Sequence, residues 1–205
     1  MHQYRGKLLV HCGSMFSGKT SALYRDVKRF TIAGYKVLVA KPAFDERYGK
    51  DQVVTHDQLG LECILFGTVD ELKRKIEQEN PDVLAIDEVQ FIEGRTEDVL
   101  DLFEQLLQRN ATIIAAGLDL DYLAQPFELT RELMALCDYL YKHHAVCAHC
   151  GNDGWISHRR IQNEDRLLLG STNIYEPLCR SCYNKARKEQ ESYVKKYQVR
   201  LEETE

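Results

Sequence analysis

Three groups of residues in this chain have the types and spacing to do chemistry. Gly13-Ser14-Met15-Phe16-Ser17-Gly18-Lys19-Thr20 follows the pattern G-x-x-x-x-G-K-[ST], directly after an apolar run and directly before a helical one. Glycine at both ends lets the loop wrap a phosphate with backbone N–H groups, and the helix behind it points its positive end at the same anion. Lys19 would neutralise the β and γ oxygens, and the Thr20 hydroxyl would ligate magnesium. The second group is Asp82-Val83-Leu84-Ala85-Ile86-Asp87-Glu88, an apolar run ending in two carboxylates. Asp87 is placed as the magnesium-side carboxylate, directly or through water, which leaves Glu88 free for another task. The third is Cys147-x-x-Cys150 and, after 28 intervening residues, Cys179-x-x-Cys182. Two such knuckles hold four thiolates around Zn²⁺ at about 2.3 Å, with His149 a weaker ligand candidate. Four protein ligands leave no open position, so this metal is expected to be structural and not catalytic.

These groups need a frame. The apolar runs Leu8 to Cys12, Val37 to Ala40, Val83 to Ile86 and Thr112 to Ala116 read as buried strands. Between them, Ala22 to Ile32, Val69 to Glu79 and Thr96 to Gln108 repeat apolar residues at three- and four-residue spacing, as helices do. Alternation of this kind predicts an α/β fold: a P-loop NTPase-like core with a central, mostly parallel sheet flanked by helices. Residues 43 to 60, rich in polar groups and punctuated by Gly49 and Gly60, read as a long loop. Beyond residue 146 the composition shifts to Cys, Gly, Asn, Arg and Tyr. The expected organisation is a nucleotide-binding domain over 1–146, a small zinc-binding domain over 147–184 and a charged tail over 185–205, a solvated or frayed helix.

Bulk properties narrow the function classes. The chain has 205 residues, room for one sizeable core and a small annex, and 44% hydrophobic with 29% charged residues is the balance of a folded, soluble protein. Its 27 Lys plus Arg against 32 Asp plus Glu give a net charge of -5, which argues against a surface built for nucleic acid or anionic membrane. No run approaches the roughly 18 apolar residues of a membrane helix, and the first residues hold too short an apolar run for a secretory signal. Seven cysteines are an odd number for a disulfide framework. A cytoplasmic protein is expected, with Cys12, Cys63 and Cys137 acting as small buried hydrophobes.

A P-loop and an acidic strand end say that a nucleoside triphosphate is bound, but leave water, protein, nucleic acid and small alcohols as acceptors. One reading is a P-loop ATPase whose zinc knuckle binds nucleic acid. Such a motor normally needs two ATPase lobes and a basic footprint. The other comes from a resemblance. Gly13 to Thr20, Asp87-Glu88-Val89-Gln90-Phe91, Gly117-Leu118-Asp119, Pro126-Phe127 and the paired cysteines together resemble the zinc-containing, cytosolic type of thymidine kinase, over roughly residues 5 to 185.

That resemblance implies transfer of the γ-phosphoryl group of ATP to the 5′-hydroxyl of thymidine, and of deoxyuridine, in DNA precursor salvage. It implies Glu88 as general base, Asp45 and Arg47 near the phosphates and magnesium, and Gln90 on the phosphate side with the loop and Asp87. Met15, Leu118, Tyr122, Phe127, Ser157 and Tyr175 match positions around the thymine, and Gly170 a position near the sugar. Gly170 falls in a loop, about 160 to 178, that closes over the nucleoside and that the zinc site would pin at its ends. Thymidine triphosphate as feedback inhibitor and a homotetramer are implied as well. The chain departs from the usual pattern at Ser14, where proline is common, at Tyr122, where phenylalanine is common, and at Glu128, where glycine is common.

Overall fold

The continuous apolar runs form the interior of one parallel sheet. The computed structural model describes residues 5–43, 52–54, 60–161 and 173–190. In chain order these form β1 (Leu8–Gly13), α1 (Lys19–Ile32), β2 (Val37–Pro42), β3 (Gln52–Val54), β4 (Gly60–Glu62), β5 (Ile64–Phe66), α2 (Val69–Glu79), β6 (Val83–Ile86), a 3-10 turn (Val89–Phe91), α3 (Thr96–Gln108), β7 (Thr112–Gly117), α4 (Glu128–Leu136), β8 (Tyr139–His143), β9 (Ala145–Val146), β10 (Asp153–Gly154), β11 (Ile156–Arg159) and β12 (Tyr175–Leu178). Residues 180–190 are helical. Six strands order as β5-β2-β6-β7-β1-β8, every pairing parallel.

Side chains alternate across a strand, and here each face of the sheet has its own core. Leu8, Val10 and Cys12 of β1 join Leu72, Ile76, Leu102, Phe103 and Leu133 from α2, α3 and α4 on one face. Leu9 turns to the other, where Leu23, Val27 and Phe30 of α1 pack against Ala85 and Ile114. Because both faces are covered, β6 and β7 are apolar at nearly every position. Truncation of a buried side chain such as Phe103 to alanine is expected to cost about 3–5 kcal/mol. α2 shows why its helix begins where it does. The Thr68 hydroxyl accepts from the Glu71 N–H, Glu71 accepts in return from Gly67 N–H, and Asp70 and Glu71 add acid to the first turn.

Parallel strands put all their C-terminal ends at one edge of the sheet, which is where the chain's chemistry must gather. β1 opens into the phosphate loop there, β6 into Asp87 and Glu88, and β7 into Leu118 and Asp119.

The structure adds elements that the pattern did not announce. β3, inside the expected loop 43–60, pairs antiparallel with β4, which begins at the last residue of that span. β5 is too short, three residues, to make a readable run. β8 lies at the sheet edge with Leu140 and Tyr141 exposed, so its sequence lacks the buried-strand signature. α4 starts after Phe127 with no side-chain cap, and its signal is only Leu129 and Leu133 at helical spacing. After His143 the chain leaves the sheet and builds two small antiparallel pairs, β9 with β10 and β11 with β12, around Cys147, Ile156, Leu178 and Tyr183. Among the described residues no helix is long and apolar enough to cross a membrane. The tail from 191 onward lies outside the described residues.

Candidate active site

Gly13 and Gly18 hold backbone conformations that only glycine takes without strain, φ 137° and 82°. A Cβ on Gly13 would collide with the His143 carbonyl oxygen, since β1 and β8 pair Gly13 with His143. Gly18 is the N-cap of α1, so the loop's N–H groups and the helix's positive end face one space. Lys19 is buried at the first position of α1, and its ammonium donates to the Ser14 carbonyl at 2.7 Å, across the mouth of the loop. Burial pushes its pKa down, while the charges of Glu88, Asp87 and Asp119 push it up. Ser17 Oγ also donates to the Ser14 carbonyl, at 2.8 Å, which tightens the turn. Phe16, at φ 63°, is strained in the way functional loops often are.

Behind the loop, the Thr20 hydroxyl donates to Asp87 Oδ2 at 2.9 Å. Burial, with Glu88 beside it, raises the Asp87 carboxyl to about 7, against the opposing pull of Thr20 and Lys19. A carboxylate held in that way is short of positive charge, and with the Thr20 oxygen it makes a pair of hard donors fitted to Mg²⁺. Glu88 sits at φ 54°, a left-handed position for a non-glycine residue, which turns its side chain out of the strand direction. Its Oε2 accepts from Gln90 Nε2 at 2.6 Å, and Gln90 Oε1 accepts from the Leu118 N–H at 3.0 Å. One chain of hydrogen bonds and adjacent residues therefore runs Thr20–Asp87–Glu88–Gln90–Leu118, from the phosphate loop to the end of β7. Gln90, grouped with the phosphate side in the sequence reading, touches Glu88 here.

The annex meets both the phosphate loop and the loop after β7. Met15 N–H in the phosphate loop donates to Ser157 Oγ of β11 at 2.8 Å, a bond across 142 positions of chain. Phe127 is buried and its N–H donates to the Asp119 carbonyl. Tyr122 is half-buried; its carbonyl accepts from the Tyr183 hydroxyl, and its ring lies against the Arg159 guanidinium. Tyr175 is buried on β12. Met15, Leu118, Tyr122, Ser157 and Tyr175 are thus tied to the loop, to Gln90 or to one another through Arg159, while Phe127 is tied to Asp119. Asp45, Arg47 and Gly170 lie outside the described residues.

Sequence reasoning missed several residues here. Asp119 is 4% exposed and ion-paired with Lys142 of β8 at 2.9 Å. Under the phosphate loop, His11 of β1 sits 3.1 Å from Asp26 of α1 and 3.0 Å from His143 of β8. Each is a lone residue in the sequence, and only the Gly117-Leu118-Asp119 triplet drew attention to one of them.

The four cysteines converge: their Sγ atoms all lie within 4.8 Å of one another, and Cys150 and Cys179 are 3.6 Å apart. Thiolates at 2.3 Å around a tetrahedral ion stand about 3.8 Å apart, so the cluster fits Zn²⁺. Backbone N–H groups hold the Cys147 thiol down near 6 despite its burial, whereas burial and the neighbouring sulfurs push Cys182 up to about 12. Cysteine binds a metal as the thiolate, so a cation held here would release protons on binding. Cys12, by contrast, is raised to about 11 by burial and packs in the core, with Cys63 and Cys137 half-buried against the two cores.

Fold and site together define a P-loop α/β nucleotide-binding protein with a four-cysteine annex. The thymidine kinase family profile matches residues 6–183. Among curated relatives, thymidine kinase of Bacteroides thetaiotaomicron is 40% identical over 185 residues, covering 90% of each chain. That of Porphyromonas gingivalis is 40% identical over 182 residues, 88% of this chain and 86% of its own. That of a Rhodothermus species is 38% identical over 182 residues, 89% and 83%. The chain belongs to the thymidine kinase family. Membership disfavours the reading as an ATPase with a nucleic-acid-binding knuckle.

Proposed function

We propose that the chain transfers the γ-phosphoryl group of ATP to the 5′-hydroxyl of thymidine, giving thymidine monophosphate, and does the same for deoxyuridine. The observation that carries this reading is the hydrogen-bonded connection from Thr20 through Asp87, Glu88 and Gln90 to Leu118. It supports the reading because one half-buried carboxylate, Glu88, is linked on one side to Thr20 of the loop and on the other to Leu118, assigned to the base.

Phosphoryl transfer asks mainly for alignment and charge neutralisation. The N–H groups of residues 13 to 20 and the Lys19 ammonium would hold the β- and γ-phosphates. Thr20 and Asp87 would hold Mg²⁺, which when bound neutralises charge on the phosphate oxygens. Glu88 would accept the proton of the 5′-hydroxyl as that oxygen attacks phosphorus, a contribution of about 10²–10⁴-fold in rate. Gln90, fixed at its other end by Leu118, donates to Glu88 and keeps it aimed. Met15, Leu118, Tyr122, Phe127, Ser157 and Tyr175 surround a pyrimidine in this reading, with Gly170 at the sugar and Asp45 and Arg47 at the phosphates. Closure of the segment near 160–178 would exclude water and limit ATP hydrolysis. The cysteine cluster would hold Zn²⁺ and order the two ends of that segment.

The domain division at about residue 146 and a cytoplasmic location, read from composition, and feedback by thymidine triphosphate at the nucleoside site and a homotetramer, by family likeness, complete the proposal. A transfer assay with γ-labelled ATP over a panel of deoxynucleosides tests it. Label is expected in thymidine and deoxyuridine monophosphates; release to water alone, or transfer only to purine nucleosides, overturns it. The same assay titrated with thymidine triphosphate, and light scattering of the protein, test the last two statements.

A further inference from the structure

We infer that Arg159 is a positioning residue of the nucleoside pocket, its guanidinium clamped between Tyr122 and Tyr175 so that both rings are held as walls for the base; this rests on the proposed assignment of those tyrosines. Arg159 is 2% exposed, so its charge is removed from water and must be matched inside the protein. Its guanidinium carbon lies 3.7 Å from the centroid of the Tyr122 ring and 5.5 Å from that of Tyr175. Its Nη2 donates to the Tyr175 hydroxyl at 2.9 Å. The backbone is fixed too: β11 pairs Arg159 with Tyr175 on β12, and the Arg159 carbonyl accepts from Gln190 Nε2. Tyr122 is pinned from its other end, since its carbonyl takes the Tyr183 hydroxyl. One side chain therefore joins the loop after β7 to β11 and β12 of the annex.

The chemistry calls for arginine in particular. A planar guanidinium stacks on one aromatic face while its fork donates to a hydroxyl in its plane, which a compact ammonium on a flexible stem does not do. A ring has two faces, and the guanidinium takes one face of Tyr122, so a base can stack only on the other. The clamp thus chooses which side of Tyr122 receives a ligand. It also removes the freedom of both tyrosines before the nucleoside arrives, which lowers the ordering cost of binding. Triphosphate binding, on the opposite side of Glu88, uses neither ring.

The test is Arg159→Lys in the full chain. The expected result is a thymidine KM raised about tenfold or more, with ATP KM and kcat within about threefold of the parent and zinc content unchanged. Tyr175→Phe, which keeps the ring and removes only the acceptor, is expected to raise thymidine KM less, and Arg159→Lys with Tyr175→Phe to be no worse than Arg159→Lys alone. An unchanged thymidine KM in Arg159→Lys overturns the inference. So does an equal rise in both KM values with loss of zinc, the mark of a purely structural residue. Should Arg159→Lys fail to fold, a Tyr175→Phe protein with parental thymidine KM overturns it alone. Tyr122→Ala and Tyr175→Ala separate the two levels. If they leave thymidine KM unmoved, the pocket assignment falls and the clamp with it; if they raise it and Arg159→Lys does not, only the clamp falls.

Discussion

Gln90 shows how much a single side chain can carry. It spans the gap between β6 and β7, accepting from Leu118 and donating to Glu88. Gln90→Leu removes both bonds and leaves the Leu118 N–H without that partner, so kcat is expected to fall about tenfold, with thymidine KM much less affected. Steady-state kinetics at saturating ATP checks this. Residues of this kind divide into two sets by how visible they are in the sequence. Lys19, Thr20, Asp87, Glu88 and the four cysteines are legible because their chemistry requires neighbours at fixed, short spacing. Arg159 and the His11–Asp26–His143 group are not. His11 meets His143 across 132 positions and Met15 meets Ser157 across 142, and no local pattern encodes such a meeting. Gln90 lay within a legible motif, yet its contact with Glu88 depends on the left-handed turn at Glu88, which spacing does not reveal.

At the scale of elements, β1, α1 and β8 form the support for the phosphate loop. A carboxylate only accepts, so His11 Nε2 carries the hydrogen toward Asp26, and His11 Nδ1 and His143 Nε2 share a hydrogen bond at 3.0 Å. Burial, then the neighbouring His11 and Lys19, lower His143 to about 4, whereas an unfolded histidine titrates near 6.5. Below 6.5 the unfolded chain takes up a proton that the folded one refuses, so this group's stability is complete above 6.5 and is lost as pH falls toward 4. The expected slope is up to about 1 kcal/mol per pH unit. Denaturant unfolding from pH 7 to 4.5 should show a shallower loss in His143→Asn than in the parent; equal slopes would exclude the network as the source. The strands and helices around this support were legible where burial is two-sided, as in β1, β2, β6 and β7, or amphipathic, as in α1, α2 and α3. The edge strand β8 and the uncapped α4 were not, because exposure and a missing cap erase the two signals that sequence reading uses.

For the whole molecule, the question is how a sheet-based nucleotide site and a cysteine-pinned annex act as one. They are joined by the Met15–Ser157 bond, the Tyr183–Tyr122 bond and Arg159. Stripping zinc with a chelator, or Cys150→Ser, is therefore expected to loosen the annex and raise thymidine KM strongly, with a smaller change in ATP binding; zinc analysis with both KM values measures it. Structural zinc can contribute on the order of 10 kcal/mol to ordering so small a unit. The expected division near residue 146 rests on the change in composition alone, whereas the contacts made by β11 and β12 could not be read, since short strands with isolated polar contacts leave no periodicity. The central claim is that Glu88 takes the proton from the nucleoside's alcohol. The most direct measurement is single-turnover transfer by Glu88→Gln alongside calorimetric thymidine binding. A rate reduced about 10²–10⁴-fold with thymidine affinity within about threefold of the parent is predicted; transfer at the parental rate would contradict the assignment.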